Sequence, residues 1–274
     1  MSNFLTYLLV AVLAVYSEFG SNGVSFQSTH VRIAFYIGGG TSPNSEHGHQ
    51  FYVALHEASV SAFGSQGFII TNVTESGIQG LSRTDFEIVV FPGGSGKGQA
   101  DAIGTKGIQA LRTFNAAGGG YIGTCGGAFL GLQHVMFYGK PPPPTQEPWD
   151  RGHGDAQVEF QPEGLIDLHL NYTKNITVVY WQGPIVKTND FPSNVKIFAI
   201  FRTEIHSKHT NETKGEMINT PAITALDGPK GAGRVILNSP HPEIPTADGM
   251  TYPEIYAGEL EYIREKQTRH RKIM

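Results

Sequence analysis

The chain has 274 residues, 39% of them hydrophobic and 16% charged, with a formal net charge of −4. That balance fits a packed globular domain and excludes a disordered or strongly basic chain, so nothing favours nucleic acid or an anionic membrane surface as partner. The short basic tail, residues 269–274, reads as a solvated terminus.

Phe4 to Tyr16 is an apolar run broken only by Thr6, followed at once by Ser17, Glu18 and Gly20. It is short for a membrane span and reads as a secretory signal peptide over residues 1–17, cut near Ser17. A signal anchor and a buried helix are the alternatives, because no Lys or Arg precedes the run. Residues 18–30 form a spacer, and residues 31–268 are expected to be one domain. Asn-x-Ser/Thr triplets at Asn72, Asn171, Asn175 and Asn211 agree with the secretory route and mark glycosylation positions. Secretion, or residence in the lumen of the secretory pathway, is the expected location.

The domain opens with Val31–Ile37, a buried parallel strand running into Gly38, Gly39 and Gly40. Apolar residues from His49 to Phe63 recur at helical spacing. Gly67–Val73 and Phe86–Phe91 read as strands, the second entering Pro92, Gly93 and Gly94. Gln99–Phe114 reads as a helix, Tyr121–Gly123 as a short strand and Ala128–Val135 as a helix. Strands alternating with helices, with glycines at the strand ends, predict an α/β flavodoxin-like fold, a doubly wound, mostly parallel sheet. After the stiff break at Pro141–Pro144 come Ala156–Phe160, Ile166–Leu170, Ile176–Trp181 and Val195–Phe201, read as an antiparallel strand extension. Ala222–Asp227 and Gly233–Asn238 read as a hairpin returning to the core, and Tyr252–Gln267 as a closing helix.

The chain has one cysteine, Cys125, so it is not a disulfide-stapled scaffold. Cys125 sits in Gly-Thr-Cys-Gly-Gly (123–127), between a strand and a helix. A nucleophile on such a turn has strained backbone, needs neighbours without side chains, and projects outward at a helix start that favours a thiolate. Ser-Pro-His-Pro-Glu (239–243) follows a strand late in the chain. His241 can serve as base, and Glu243, two residues on, can share its face and orient the imidazole. The N–H of Gly126, with that of Gly93 or Gly94, can hold an oxyanion. A buried structural cysteine and ordinary glycine turns are the competing readings of these motifs. Arg151, His153 and Gln182 are further candidates for binding substrate, with a structural role as the alternative. His47/His49 and His206/His209 lack partners at ligand spacing, so no metal is expected, and no motif calls for a cofactor.

In this order, Pro-Gly-Gly, Gly-Thr-Cys-Gly-Gly and Ser-Pro-His-Pro-Glu resemble the class I glutamine amidotransferase superfamily. Tyr121–Gly131, Trp149–Gly154, Tyr180–Pro184 and Gly233–Glu243 are similar to the N-terminal domain of certain biotin-protein ligases and related stand-alone proteins, over roughly residues 31–265. The resemblance implies a Cys125–His241–Glu243 triad acting on a carboxamide or γ-glutamyl-type carbonyl of a small-molecule or peptide substrate. It does not imply biotin ligation, which belongs to a separate catalytic domain. A hydrolase suits a secreted stand-alone chain better than an ammonia-channelling transferase. The rivals are a non-catalytic small-molecule binding module on the same fold and a redox protein whose Cys125 oxidises readily.

Overall fold

The computed structural model describes residues 30–139, 152–207 and 215–271. The expected signal segment, Arg151, Asn211 and the proline run at 141–144 lie outside them. Among the described residues no helix is long and apolar enough to cross a membrane.

Five strands build the parallel half: β1 (Val31–Tyr36), β2 (Phe68–Val73), β3 (Ile88–Phe91), β4 (Gly120–Thr124) and β9 (Arg234–Asn238). Four more, β5 (His153–Phe160), β6 (Ile176–Trp181), β7 (Val195–Phe201) and β8 (Pro221–Asp227), extend the sheet. The strand order is β2-β1-β3-β4-β9-β8-β7-β5-β6. Its first five members reproduce the 2-1-3-4-5 order of flavodoxin-like sheets. Pairings from β2 through β9 are parallel, and those from β9 through β6 are antiparallel.

The helices cover both faces, and alternation along the strands shows why. Val31, Ile33 and Phe35 of β1 pack into one core with Phe51 and Leu55 of α1 (Glu46–Phe63) and with Ile255 and Leu260 of α6 (Pro253–Arg271). Ala34 and Tyr36 point the other way, into a core with Ile103 and Leu111 of α3 (Gly96–Ala116). The starts of α1 and α3 are capped by Ser45 and Ser95, whose hydroxyls accept from Gly48 N and Gly98 N at 3.1 and 3.0 Å. Two shorter helices complete this half: α2 (Glu75–Gln79) and α4 (Gly126–Phe129), the latter passing into a π-helical stretch at Leu130–Val135.

One expected strand is absent. Around Ile166–Leu170 the chain forms α5 (Pro162–Asp167) and then turns at His169, whose φ is 53°. Pro162 takes the first helical position, where its missing N–H is no loss, and Glu163 follows in the first turn. The apolar residues there do not alternate across a sheet: Ile166 is 72% exposed while Leu168 is buried.

The antiparallel half folds back on the parallel half. Past β9 the His241 N–H donates to Val179 O of β6 at 2.7 Å, an isolated antiparallel bridge. β9, β8, β7, β5 and β6 thus close onto the segment that leaves β9. Gly183 makes the closure tight, since a Cβ there would stand 1.9 Å from Ser239 O. We expect Gly183→Ala to destabilise the chain by roughly 1–3 kcal/mol, the range for forcing atoms into a packed contact. Denaturant unfolding checks this: an unchanged midpoint would mean that the closure is loose.

Candidate functional site

The carboxyl ends of β1, β3, β4 and β9 meet at a cavity of about 360 Å³, within the size range of small-molecule sites. Cys125 stands at the end of β4 with φ 52° and ψ −105°, a left-handed conformation foreign to ordinary side-chain-bearing residues. Main-chain bonds hold it: Cys125 N donates to Asn238 O at 2.8 Å, and Phe129 N donates to Cys125 O at 3.0 Å. Gly126 is required beside it, because a Cβ there would lie 2.5 Å from Gly94 O. The neighbouring loops therefore pack main chain against main chain. Among the described residues, the N–H groups of Gly93, Gly94 and Gly126 donate to no protein acceptor.

His241 and Glu243, on the loop after β9, are both buried and joined by a 2.7 Å bond between Nδ1 and Oε1. The second carboxylate oxygen, Oε2, accepts from Tyr256 OH at 2.7 Å. Burial disfavours a charged His241 ring, but Glu243 and then Cys125 outweigh it and raise its pKa to about 10. Nε2 of His241 has no nitrogen or oxygen partner in the protein. The Cys125 thiol raises the ring's pKa through its charge and through a side-chain hydrogen bond, and it also lies 3.3 Å from Trp181 O, to which it can donate. Gly93 lies against both side chains: a Cβ on it would be 2.8 Å from His241 Cε1 and 3.7 Å from Cys125 Cβ.

The sequence-derived candidates are thus largely brought together. Cys125, His241, Glu243, Gly93, Gly94 and Gln182 all line the cavity, where Trp181 joins them, and Gly126 adjoins it. Gln182 has a left-handed φ of 56°. His153 reaches the site only through Trp181, on which its ring stacks at 4.5 Å and 19°. Arg151 falls outside the described residues. Among those residues no group of three or more His, Cys, Asp or Glu side chains is placed to hold a metal. Asn72, Asn171 and Asn175 are exposed.

Sequence reasoning missed a buried polar layer beneath the site. Tyr256 and Glu259 stand one helical turn apart on α6. Tyr256 OH lies 3.1 Å from Thr124 Oγ1, and Asn238 Nδ2 donates to Glu259 Oε2 at 3.1 Å. The signal was positional: Thr124 directly precedes Cys125, and Asn238 closes β9. Burial, reinforced by the Glu243 charge, keeps the Tyr256 phenol neutral far into alkali.

Residues 31–143 match the family model described as Biotin-protein ligase, N terminal. That stretch carries the Pro-Gly-Gly and Gly-Thr-Cys-Gly-Gly motifs, while His241 and Glu243 lie beyond it. The structure is similar to the cytoplasmic protein STM3548 from Salmonella typhimurium, with a TM-score of 0.51 and 11% identity, covering 85% of this chain and 99% of that one. It is also similar to a protein from Bacteroides uniformis ATCC 8492 described as ThuA-like, with a TM-score of 0.49 and 11% identity, covering 89% and 94%. These likenesses accompany the flavodoxin-like strand order of the parallel half. At such identity the structural likeness concerns the fold alone. No curated protein matches the sequence at a significant level.

The layer has a thermodynamic consequence. Burial first, and Glu243 second, raise the Glu259 carboxyl to about 8, against its Asn238 hydrogen bond. The folded chain keeps that proton up to about pH 8, whereas the unfolded chain loses it near its ordinary value of 4.5. Unfolding between these values releases a proton, so stability falls as pH rises, at up to about 1.4 kcal/mol per pH unit for this group. Glu259→Gln keeps an acceptor for Asn238 and carries no titrating proton. Its stability should exceed that of the natural chain increasingly from pH 5 to 8 in denaturant titrations. Parallel curves would contradict a neutral Glu259.

Proposed function

We propose that the chain is a cysteine-dependent amide hydrolase of the secretory route, acting at a carboxamide carbonyl, with γ-glutamyl amides within that chemistry. The observation that carries this reading is the buried His241–Glu243 bond beside Cys125, a cysteine held on a strained strand-to-helix turn. Glu243 fixes the imidazole through Nδ1 and raises the ring's affinity for a proton, so Nε2 takes the Cys125 thiol proton and leaves a thiolate–imidazolium pair. Rotation about χ1 of Cys125 exchanges the Trp181 carbonyl for the imidazole.

The thiolate attacks the carbonyl carbon, forming a C–S bond while the electron pair moves to oxygen. The unbonded N–H groups of Gly126 and of Gly93 or Gly94 receive that oxyanion. Collapse breaks the C–N bond, and His241 gives its Nε2 proton to the departing amine. Water, deprotonated by His241, then attacks the thioester, and C–S cleavage returns the acid and the thiolate. Tyr256 is a positioning residue, because its hydroxyl fixes the carboxylate that fixes the ring. The exposed sequons at Asn72, Asn171 and Asn175 support the location.

A second reading, a binding module that keeps the pocket without chemistry, is favoured by the thiol's bond to Trp181 O, a partner that competes with His241. Kinetics separate the two. Cys125→Ala should abolish amide hydrolysis, Glu243→Gln should reduce kcat roughly 10²-fold, and Tyr256→Phe should reduce kcat by about tenfold with KM nearly constant. Hydrolysis that survives Cys125→Ala, or a natural chain inert to amides that its pocket binds, would refute the catalytic reading.

A further inference from the structure

The walls of the cavity and its reactive end differ in polarity. Phe35, Phe51, Phe129, Trp181, Pro43 and Ile244 supply apolar surface. The polar side chains between them are largely committed to the protein itself. Both Glu243 oxygens are bonded, to His241 and to Tyr256. The Thr41 hydroxyl donates to Gly38 O at 2.6 Å. The Ser45 hydroxyl donates to Ser42 O and accepts from Gly48 N. Tyr36 OH donates to Gly39 O at 3.0 Å. His47 engages Gln50 through Nδ1, and its ring packs edge-on against Trp181 with centroids 5.0 Å apart. Gln182 is not free either, and Ser42 is exposed at the mouth.

The buried hydrogen-bonding capacity that no nitrogen or oxygen partner takes up lies around Cys125: Nε2 of His241 and the N–H groups of Gly93, Gly94 and Gly126. The N–H groups suit the oxygen of the reacting carbonyl, and Nε2 suits its leaving nitrogen. The walls suit a group that gains by leaving water without hydrogen bonds of its own. A free α-amino acid head, as in glutamine, would have to shed its water against side chains already bonded elsewhere, an unfavourable exchange.

We infer that the pocket takes an uncharged, apolar acyl group, aliphatic or aromatic, and hydrolyses its amide, rather than accepting the zwitterionic side of a glutamine-type substrate. The inference rests on the hydrolase reading and narrows its substrate class. Trp181 is the specificity-determining wall. It is 36% exposed, braced by His153 on a ring face and by His47 at an edge, and its own main chain holds the resting thiol.

The test compares p-nitroanilides that share one leaving group, with phenylacetyl, hexanoyl, acetyl and γ-glutamyl as the acyl part, on the full chain and on Trp181→Ala and Trp181→Phe. The phenylacetyl and hexanoyl substrates should exceed the γ-glutamyl one at least tenfold in kcat/KM. Trp181→Ala should raise KM for those two about tenfold while changing the acetyl substrate little, and Trp181→Phe should restore most of the loss. A γ-glutamyl substrate turned over fastest, in a Cys125-dependent way, overturns the apolar class and leaves the hydrolase reading standing. Equal losses for acetyl and phenylacetyl in Trp181→Ala overturn Trp181 as the acyl wall. No turnover of any of the four overturns the inference together with the reading beneath it.

Discussion

The left-handed backbone of Cys125 is the constraint on which the rest of the site depends. A side-chain-bearing residue at φ 52° and ψ −105° costs on the order of 1–3 kcal/mol, so it persists only where its surroundings leave it no alternative. Here β9 accepts its N–H through Asn238 O, α4 begins at its carbonyl, and Gly127 N is tied to Pro92 O at 3.1 Å. Three elements of the parallel sheet therefore converge on one peptide. The result is a thiol directed into the cavity rather than into the core, since the side chain leaves the strand where the chain turns sharply into a helix.

The second constraint is the closure of the antiparallel half. One main-chain bond, His241 N to Val179 O, places the imidazole beside β6, and the end of the same strand delivers Trp181 against the thiol. Beneath it runs a buried layer, Glu259–Asn238 and Thr124–Tyr256–Glu243–His241. Two carboxyls in one buried layer cannot both be charged cheaply. Glu259 holds the proton, which leaves Glu243 as the partner for a positive imidazole. The sheet extension thus contributes to the site as well as to the core: it supplies a wall, a clamp on the His241 main chain and a resting partner for the thiol.

Much of this was legible in the sequence because the physics is local. Buried parallel strands show as apolar runs, and the glycines that let Gly94 and Gly126 touch appear as motifs around Cys125. Ala128–Val135 has the pattern of a plain helix, but residues 130–135 wind as a π-helix, which periodicity over six residues does not reveal. Ile166 and Leu168 looked like a strand because alternation over five residues cannot be told from one helical turn that follows a proline. Tyr256 and Glu259 were hidden for another reason. On α6 they occupy the face that packs on the core, and only the three-dimensional meeting with Thr124 and Asn238 makes them polar partners rather than core filling. The return of β6 to His241 pairs segments sixty residues apart with no shared motif, so no local pattern announces it.

In the proposed hydrolase, Cys125 carries the acyl group as a thioester. Acid quench of the chain during turnover of an apolar p-nitroanilide, followed by intact-mass and peptide mass spectrometry, tests it directly. One acyl-mass increment is expected on the peptide that contains Cys125, lost on treatment with hydroxylamine and absent from Cys125→Ala. Sustained turnover with no increment, or with the increment on another residue, would contradict it.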